Sequence, residues 1–89
     1  MAGRRREGLH HIDAEVGRRI RAARLDQGMS QTALGQILNV SFQQIQKYEM
    51  GANSVALCRL PSLCKALKME VADLVNGIDR AKPLKGPAK

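Results

Sequence analysis

Residues Gln31 to Gly51 read QTALGQILNVSFQQIQKYEMG, two short amphipathic stretches separated by residues that favour a turn. The caps decide where each helix begins. Ser30 is placed to N-cap a helix starting at Gln31, and Ser41 with Gln44 has the S-x-x-Q pattern of a capping box. Asn39 lies between them. Asn tolerates a left-handed backbone at low cost, so it can end the first helix while Val40 tucks inward and fixes the angle of the second. A step of about 100° per residue then assigns faces to the second helix. With Ile45 inward, Tyr48 and Glu49 share its side, Gln43, Lys47 and Met50 point outward, and Gln44 and Gln46 lie on the flanks.

The chemistry of that outer face is informative. A merely solvated helix usually carries Glu and Lys at i, i+4 spacing, whereas this one carries Gln43, Gln44, Gln46 and Lys47. Glutamine offers a donor and an acceptor together to adenine N6 and N7, and lysine donates to guanine O6 and N7. The face therefore suits the reading of base edges in duplex DNA. Two helices with polar outer faces also occur in small bundles for purely structural reasons, and that reading competes.

Gly17 to Val75, roughly two thirds of the chain, resembles the Cro/CI-type (XRE-type) helix-turn-helix regulators of bacteria and their phages. The resemblance rests on GRRIRAARLDQGMSQ (Gly17 to Gln31), a small residue at Gly35, NVSFQQIQKYEMG (Asn39 to Gly51) and LCKALKMEVADLV (Leu63 to Val75), in that order and spacing. It implies an all-α, lambda-repressor-like domain, a compact bundle of about five short helices. It also implies that Arg24 in the first helix pairs with Glu49 at the end of the reading helix. By periodicity Glu49 faces inward, where a carboxylate needs a partner to offset its desolvation.

Three positions depart from the family pattern. Asn39 stands where Gly is usual and is an acceptable substitute. Gly35 replaces the commoner Ala, at about 1 kcal/mol of helix propensity, which means either unusually close packing or a weaker helix. Pro61 falls where the fourth helix should be under way, so that helix is expected to start near Leu60 or to begin distorted.

The 89 residues are 44% hydrophobic, with one Tyr, one Phe and no Trp, which implies one small domain with an aliphatic core. The expected core is Val16, Ile20, Ala23, Met29, Leu34, Ile37, Leu38, Val40, Ile45, Tyr48, Leu60, Leu63, Leu67, Val71 and Leu74. Of the net charge of +7, only +2 falls within residues 13–75, where eight Lys and Arg face six Asp and Glu. Three regions follow: a basic arm at 1–12, the helix-turn-helix domain at 13–76, and a basic Pro- and Gly-containing tail at 77–89. Both ends lack a helical or strand pattern and are expected to be disordered when free. They serve solubility, or Arg4, Arg5 and Arg6 reach along the DNA backbone or into a minor groove.

Other function classes find little support. Ser30, Ser41, Ser54 and Ser62 lack a G-x-S-x-G setting, the carboxylates show no pairing motif, and no glycine-rich phosphate loop is present, so no enzyme is indicated. Cys58 and Cys64, about 120° apart on a common helix, cannot form an unstrained bridge within it and are expected as core thiols. His10 and His11 near Asp13 and Glu15 do not complete a metal-ligand pattern, and no cofactor is expected. With no apolar run near 18 residues and no signal peptide, a cytoplasmic location and no membrane partner are expected.

In the expected mechanism, the N-terminus of the helix at Gln31, with the Gln31 side chain, holds a phosphate. The second helix, from Ser41, enters the major groove with Gln43 and Lys47 central, Gln46 beside them and Gln44 near the groove wall. Phe42 either touches a thymine methyl or packs on the preceding helix. Asn53 and Ser54 resemble the family's backbone-contacting loop, and Arg18 and Arg19 are candidate phosphate contacts. A single reading helix covers about half a turn of DNA, so a homodimer on a pseudo-palindrome is expected, paired near Leu74, Val75 and Ile78. With no second domain to sense a ligand, repression by occupancy is the first expectation. The alternative is the antitoxin of a toxin–antitoxin pair, binding a toxin and its own operator. A DNA coater indifferent to sequence is a weaker third reading, disfavoured by the amide-rich face.

Overall fold

Ser30 and Ser41 each sit in extended backbone immediately before a helix and accept a hydrogen bond from the third residue on: Ala33 N to Ser30 Oγ is 3.0 Å and Gln44 N to Ser41 Oγ is 3.1 Å. These caps fix the helix-turn-helix at the positions its sequence calls for. The computed structural model describes residues 10–78. Its helices are α1 (His10–Asp26), α2 (Gln31–Leu38), α3 (Phe42–Glu49), α4 (Leu60–Leu67) and α5 (Val71–Val75), with a 3₁₀ turn at Leu57–Arg59 leading into α4. Arg4, Arg5, Arg6 and the tail beyond Ile78 lie outside the described residues. The all-α architecture is thus as expected.

Each of the first four helices ends on one residue in left-handed backbone: Gly28 (φ 68°), Asn39 (φ 61°), Gly51 (φ 75°) and Lys68 (φ 58°). Such a residue lets its own N–H and that of the residue after it fold back onto the last carbonyls of the helix. After α2, Asn39 N bonds Gln36 O at 3.3 Å and Val40 N bonds Gly35 O at 2.9 Å. Pro61 falls in the first turn of α4, where its missing N–H has no helical partner to lose, so the helix starts at Leu60.

α3 lies against both α1 and α2, α4 packs on α2, and α5 packs on α1. Ile20, Leu34, Leu38, Ile45, Tyr48, Leu63, Cys64, Leu67 and Leu74 form the buried core, and Val16, Ala23, Met29, Val40 and Leu60 pack against it. Two expected core residues are outside it: Ile37 is 52% exposed and Val71 is 44% exposed. Gly35 explains the first. A Cβ at Gly35 would lie 2.7 Å from the Val40 carbonyl, so this residue, not Ile37, takes the close contact with the turn. The buried arc of α2 rotates toward Gly35 and turns Ile37 out, and of the two readings of Gly35 close packing is the right one. Val71 opens a helix of five residues that has room to bury only Leu74.

Three further expectations change. Leu74, named for subunit pairing, is 1% exposed and belongs to the core, while Val75 beside it is exposed. Cys58 is exposed on the 3₁₀ turn and only Cys64 is a core thiol. α1 begins at His10, ahead of the boundary at residue 13 that composition suggests. Asp13 in its first turn complements the helix dipole, and Ala14 packs on Gly51, where a Cβ would stand 2.7 Å from the Ala14 Cα.

Candidate nucleic-acid interface

The faces of α3 divide as the periodicity requires. Ile45, Tyr48 and Glu49 are buried, Phe42, Gln43, Gln46, Lys47 and Met50 are exposed, and Gln44 is half-buried. Phe42, at 43% exposure in the first turn of α3, is not packed away. The exposed side chains offer two amides, one ammonium and two apolar groups on one helix face, a set able to donate to, accept from and touch base edges.

Behind this face, Arg24 on α1 and Glu49 meet in a buried two-point contact, Nε to Oε2 at 2.6 Å and Nη2 to Oε1 at 3.1 Å. Arg24 Nη1 donates to the Met29 carbonyl at 2.8 Å, and Gln31 Nε2 donates to Glu49 Oε1 at 3.0 Å. All four groups join α1, the start of α2 and the end of α3. The pair implied by the family resemblance is therefore present, and Gln31 belongs to it. The Gln31 amide nitrogen donates to Glu49 rather than standing ready for a phosphate, so the groups left for an anion at this end are the first backbone N–H groups of α2, ahead of Ala33 N, which Ser30 caps.

A cleft of about 300 Å³ opens there, lined by Arg21, Gln31, Gln46, Glu49 and Met50. Arg21 is the residue that sequence reasoning passed over. Its signal was present: it lies three positions before Arg24 on α1, hence on a neighbouring face at the same end of the bundle. With Glu49 neutralised by Arg24, the cleft has one arginine, amides and a helix N-terminus around it, a combination that favours an anion.

Other predicted residues are placed differently. Arg18 is bound to Glu15 on its own helix at 2.6 Å. Arg19 reaches Glu15 at 3.0 Å and donates to the carbonyls of Asp73 at 3.1 Å and Asn76 at 2.8 Å. Its guanidinium thus closes the C-terminal end of α5, and the geometry does not bring it to the α3 face. Both arginines, Arg18 first, hold the Glu15 carboxyl below its ordinary range. Ser54 Oγ donates to Asp13 Oδ1 at 2.7 Å, tying the loop after α3 to the start of α1. The expected capping box at Ser41 is half formed: Gln44 N reaches Ser41, but the Gln44 side chain turns to Asn53 Oδ1 at 3.1 Å. Arg59 Nη1 donates to the Leu38 carbonyl at 2.7 Å and so holds the end of α2 from the far side. Among the described residues no cluster of His, Cys, Asp and Glu is arranged to hold a metal, and no helix is long and apolar enough to cross a membrane.

A helix-turn-helix family profile matches residues 20–74. An uncharacterized HTH-type transcriptional regulator, y4wC of Sinorhizobium fredii, is 56% identical over 59 residues, 66% of this chain and 41% of that protein. An uncharacterized transcriptional regulator in the ATPase CF(0) region of Rhodospirillum rubrum is 40% identical over 75 residues, 84% of this chain and 69% of that protein. The chain thus spans less than half of the first relative's length. Among solved structures, the P22 c2 repressor in complex with synthetic operator 9T superposes with a TM-score of 0.66 at 33% identity, over 71% of this chain and 96% of that one. With the profile covering more than half of its residues, the chain belongs to the XRE-type helix-turn-helix family of DNA-binding transcriptional regulators.

Proposed function

We propose that the chain is a sequence-specific repressor that reads a pseudo-palindromic operator as a homodimer. The observation that carries this is the exposed face of α3, with Gln43, Gln46, Lys47 and Phe42 side by side and the arginine-lined cleft at its edge. In this reading α3 enters the major groove, Gln43 and Lys47 address base edges, and Gln46 and Phe42 flank them. The backbone N–H groups at the start of α2, with Arg21, hold a phosphate and set the register, while the Gln31 side chain braces Glu49. The P22 c2 repressor, a structural neighbour, forms a complex with a synthetic operator, which supports the same use of this fold here.

Val71 and Val75, exposed on the short α5, are the apolar residues we assign to pairing of two copies. Two reading helices about 34 Å apart would cover adjacent turns of one DNA face. A cytoplasmic, nucleoid-bound protein of a bacterium or phage goes with this reading. Selection from a randomised duplex library at about 150 mM salt, where purely phosphate-driven binding is weakened, tests it. A two-fold symmetric motif is expected; an unselected pool would overturn the operator-reading role and favour a protein partner such as a toxin.

A further inference from the structure

The half-buried Gln44 stands beside the exposed face of α3, and its amide is held by the segment that leaves the helix. Asn53 Nδ2 donates to the Ala52 carbonyl at 2.9 Å, and Asn53 Oδ1 accepts from Gln44 Nε2 at 3.1 Å. The direction of this relay is dictated by its first member. A backbone carbonyl only accepts, so Asn53 turns its NH₂ toward Ala52 and its oxygen toward Gln44, and Gln44 must answer with its own NH₂.

The turn after α3 places Asn53 for this task. Gly51 (φ 75°) reverses the chain, Gly51 N bonds the Tyr48 carbonyl at 3.1 Å, and Ala52 N bonds the Lys47 carbonyl at 2.9 Å. Asn53 N also reaches the Lys47 carbonyl, at 3.3 Å. Lys47 is one helical turn beyond Gln44, so the Asn53 side chain arrives over Gln44. No hydrogen bond occupies Gln44 Oε1 among the described residues, whereas one of its two N–H donors is taken.

We infer that Asn53 is a positioning residue that sets Gln44 as a hydrogen-bond acceptor toward the major groove, and so makes position 44 select a base carrying an exocyclic amino group. In the major groove those bases are adenine, through N6, and cytosine, through N4; the guanine amino group N2 lies in the minor groove, and guanine O6 and thymine O4 are acceptors that the Gln44 oxygen cannot bond. This rests on the operator-reading proposal and adds a base-selecting step to it. It also differs from a role for Asn53 as a phosphate contact, which would alter affinity for every sequence alike.

The test is library selection with the unaltered chain, Asn53→Ala, Gln44→Ala and the double variant, with circular dichroism of each to verify the helices. Asn53 is exposed, and its truncation leaves the core untouched. Asn53→Ala and Gln44→Ala should lose preference at the same base pair of each half-site, by roughly threefold to tenfold, with no further loss in the double variant. If the unaltered chain yields a motif that Asn53→Ala leaves intact, this inference fails alone. Absence of any motif with the unaltered chain overturns it together with the operator-reading role.

Discussion

Arg24 and Glu49, on different helices, place both carboxylate oxygens against two guanidinium nitrogens with their side chains only 7% and 3% exposed. A buried pair of this kind does not by itself make a fold more stable than an apolar contact would, but removing one partner strands the other charge in the interior. Arg24→Ala should therefore cost about 3–5 kcal/mol in denaturant unfolding. Arg18→Ala, which removes a surface pair, should cost less than about 1 kcal/mol. Equal unfolding midpoints for the two variants would mean that Glu49 does not depend on Arg24. Replacing both, as Arg24→Met with Glu49→Leu, should recover much of the loss.

Gly17 is the point of closest approach between α1 and α3. A Cβ there would stand 2.4 Å from the Tyr48 carbonyl oxygen and 2.6 Å from that of Glu49, both backbone atoms that cannot swing aside. Ala for Gly inside a helix ordinarily gains about 1 kcal/mol in propensity. Here the gain is outweighed, and Gly17→Ala should destabilise by about 1–3 kcal/mol while tilting the reading helix. A thermal midpoint at or above that of the unaltered chain would contradict the close contact.

Lys68 offers the opposite case. It holds left-handed backbone at φ 58° where Gly would carry no Cβ penalty, and its side chain is exposed. The relief of strain exceeds the extra entropy that Gly loses on folding, so Lys68→Gly should stabilise by about 0.5 kcal/mol, or roughly 2–4 °C in melting temperature. A drop in midpoint would show that the lysine side chain makes a contact worth more than the strain.

How much of the fold is legible in the sequence depends on how far apart the deciding partners lie. Ser30, Asn39, Ser41 and Pro61 act on backbone groups within a few residues, and the structure puts each where local rules require. Arg19 could not be assigned in this way, because its partners Asp73 and Asn76 are 54 and 57 residues along the chain. Ile37 fits a helical stripe equally well, and only the approach of the Val40 carbonyl to Gly35 decides against it. The α3 face was legible because Ile45, Tyr48 and Glu49 leave only one side for the amides. Arg21 is only partly legible: its place three positions before Arg24 puts it at the right end of α1, but its value lies in the cleft that three helices form together.

The two thiols should separate cleanly in alkylation. Burial first, then the nearby carboxylates of Glu70 and Asp73, push the Cys64 thiol above its ordinary range. It therefore stays protonated at neutral pH and unreactive, since the thiolate is the nucleophile. Cys58 is exposed. Iodoacetamide on the folded chain should modify Cys58 alone, with Cys64 reacting only in denaturant; equal rates at the two sites would show that α4 opens readily.

Arg21 and Gln43 are assigned different work in the operator complex, and salt separates them. A phosphate contact releases counterions and carries no sequence information, whereas a base contact does the reverse. Arg21→Ala should weaken binding to all sequences alike and lower the slope of log K against log salt by about one. Gln43→Ala should leave that slope unchanged and relax the preference at a base pair near the centre of each half-site, by about 1–3 kcal/mol of discrimination. Binding titrations on the selected operator and on single-pair variants of it, at several salt concentrations, measure both quantities. An unchanged slope for Arg21→Ala would remove the phosphate from the cleft beside Gln31 and Gln46. A changed slope together with an altered motif would instead make Arg21 a base contact, which requires α3 to lie shallower in the groove than the exposed face of Gln43 and Lys47 implies.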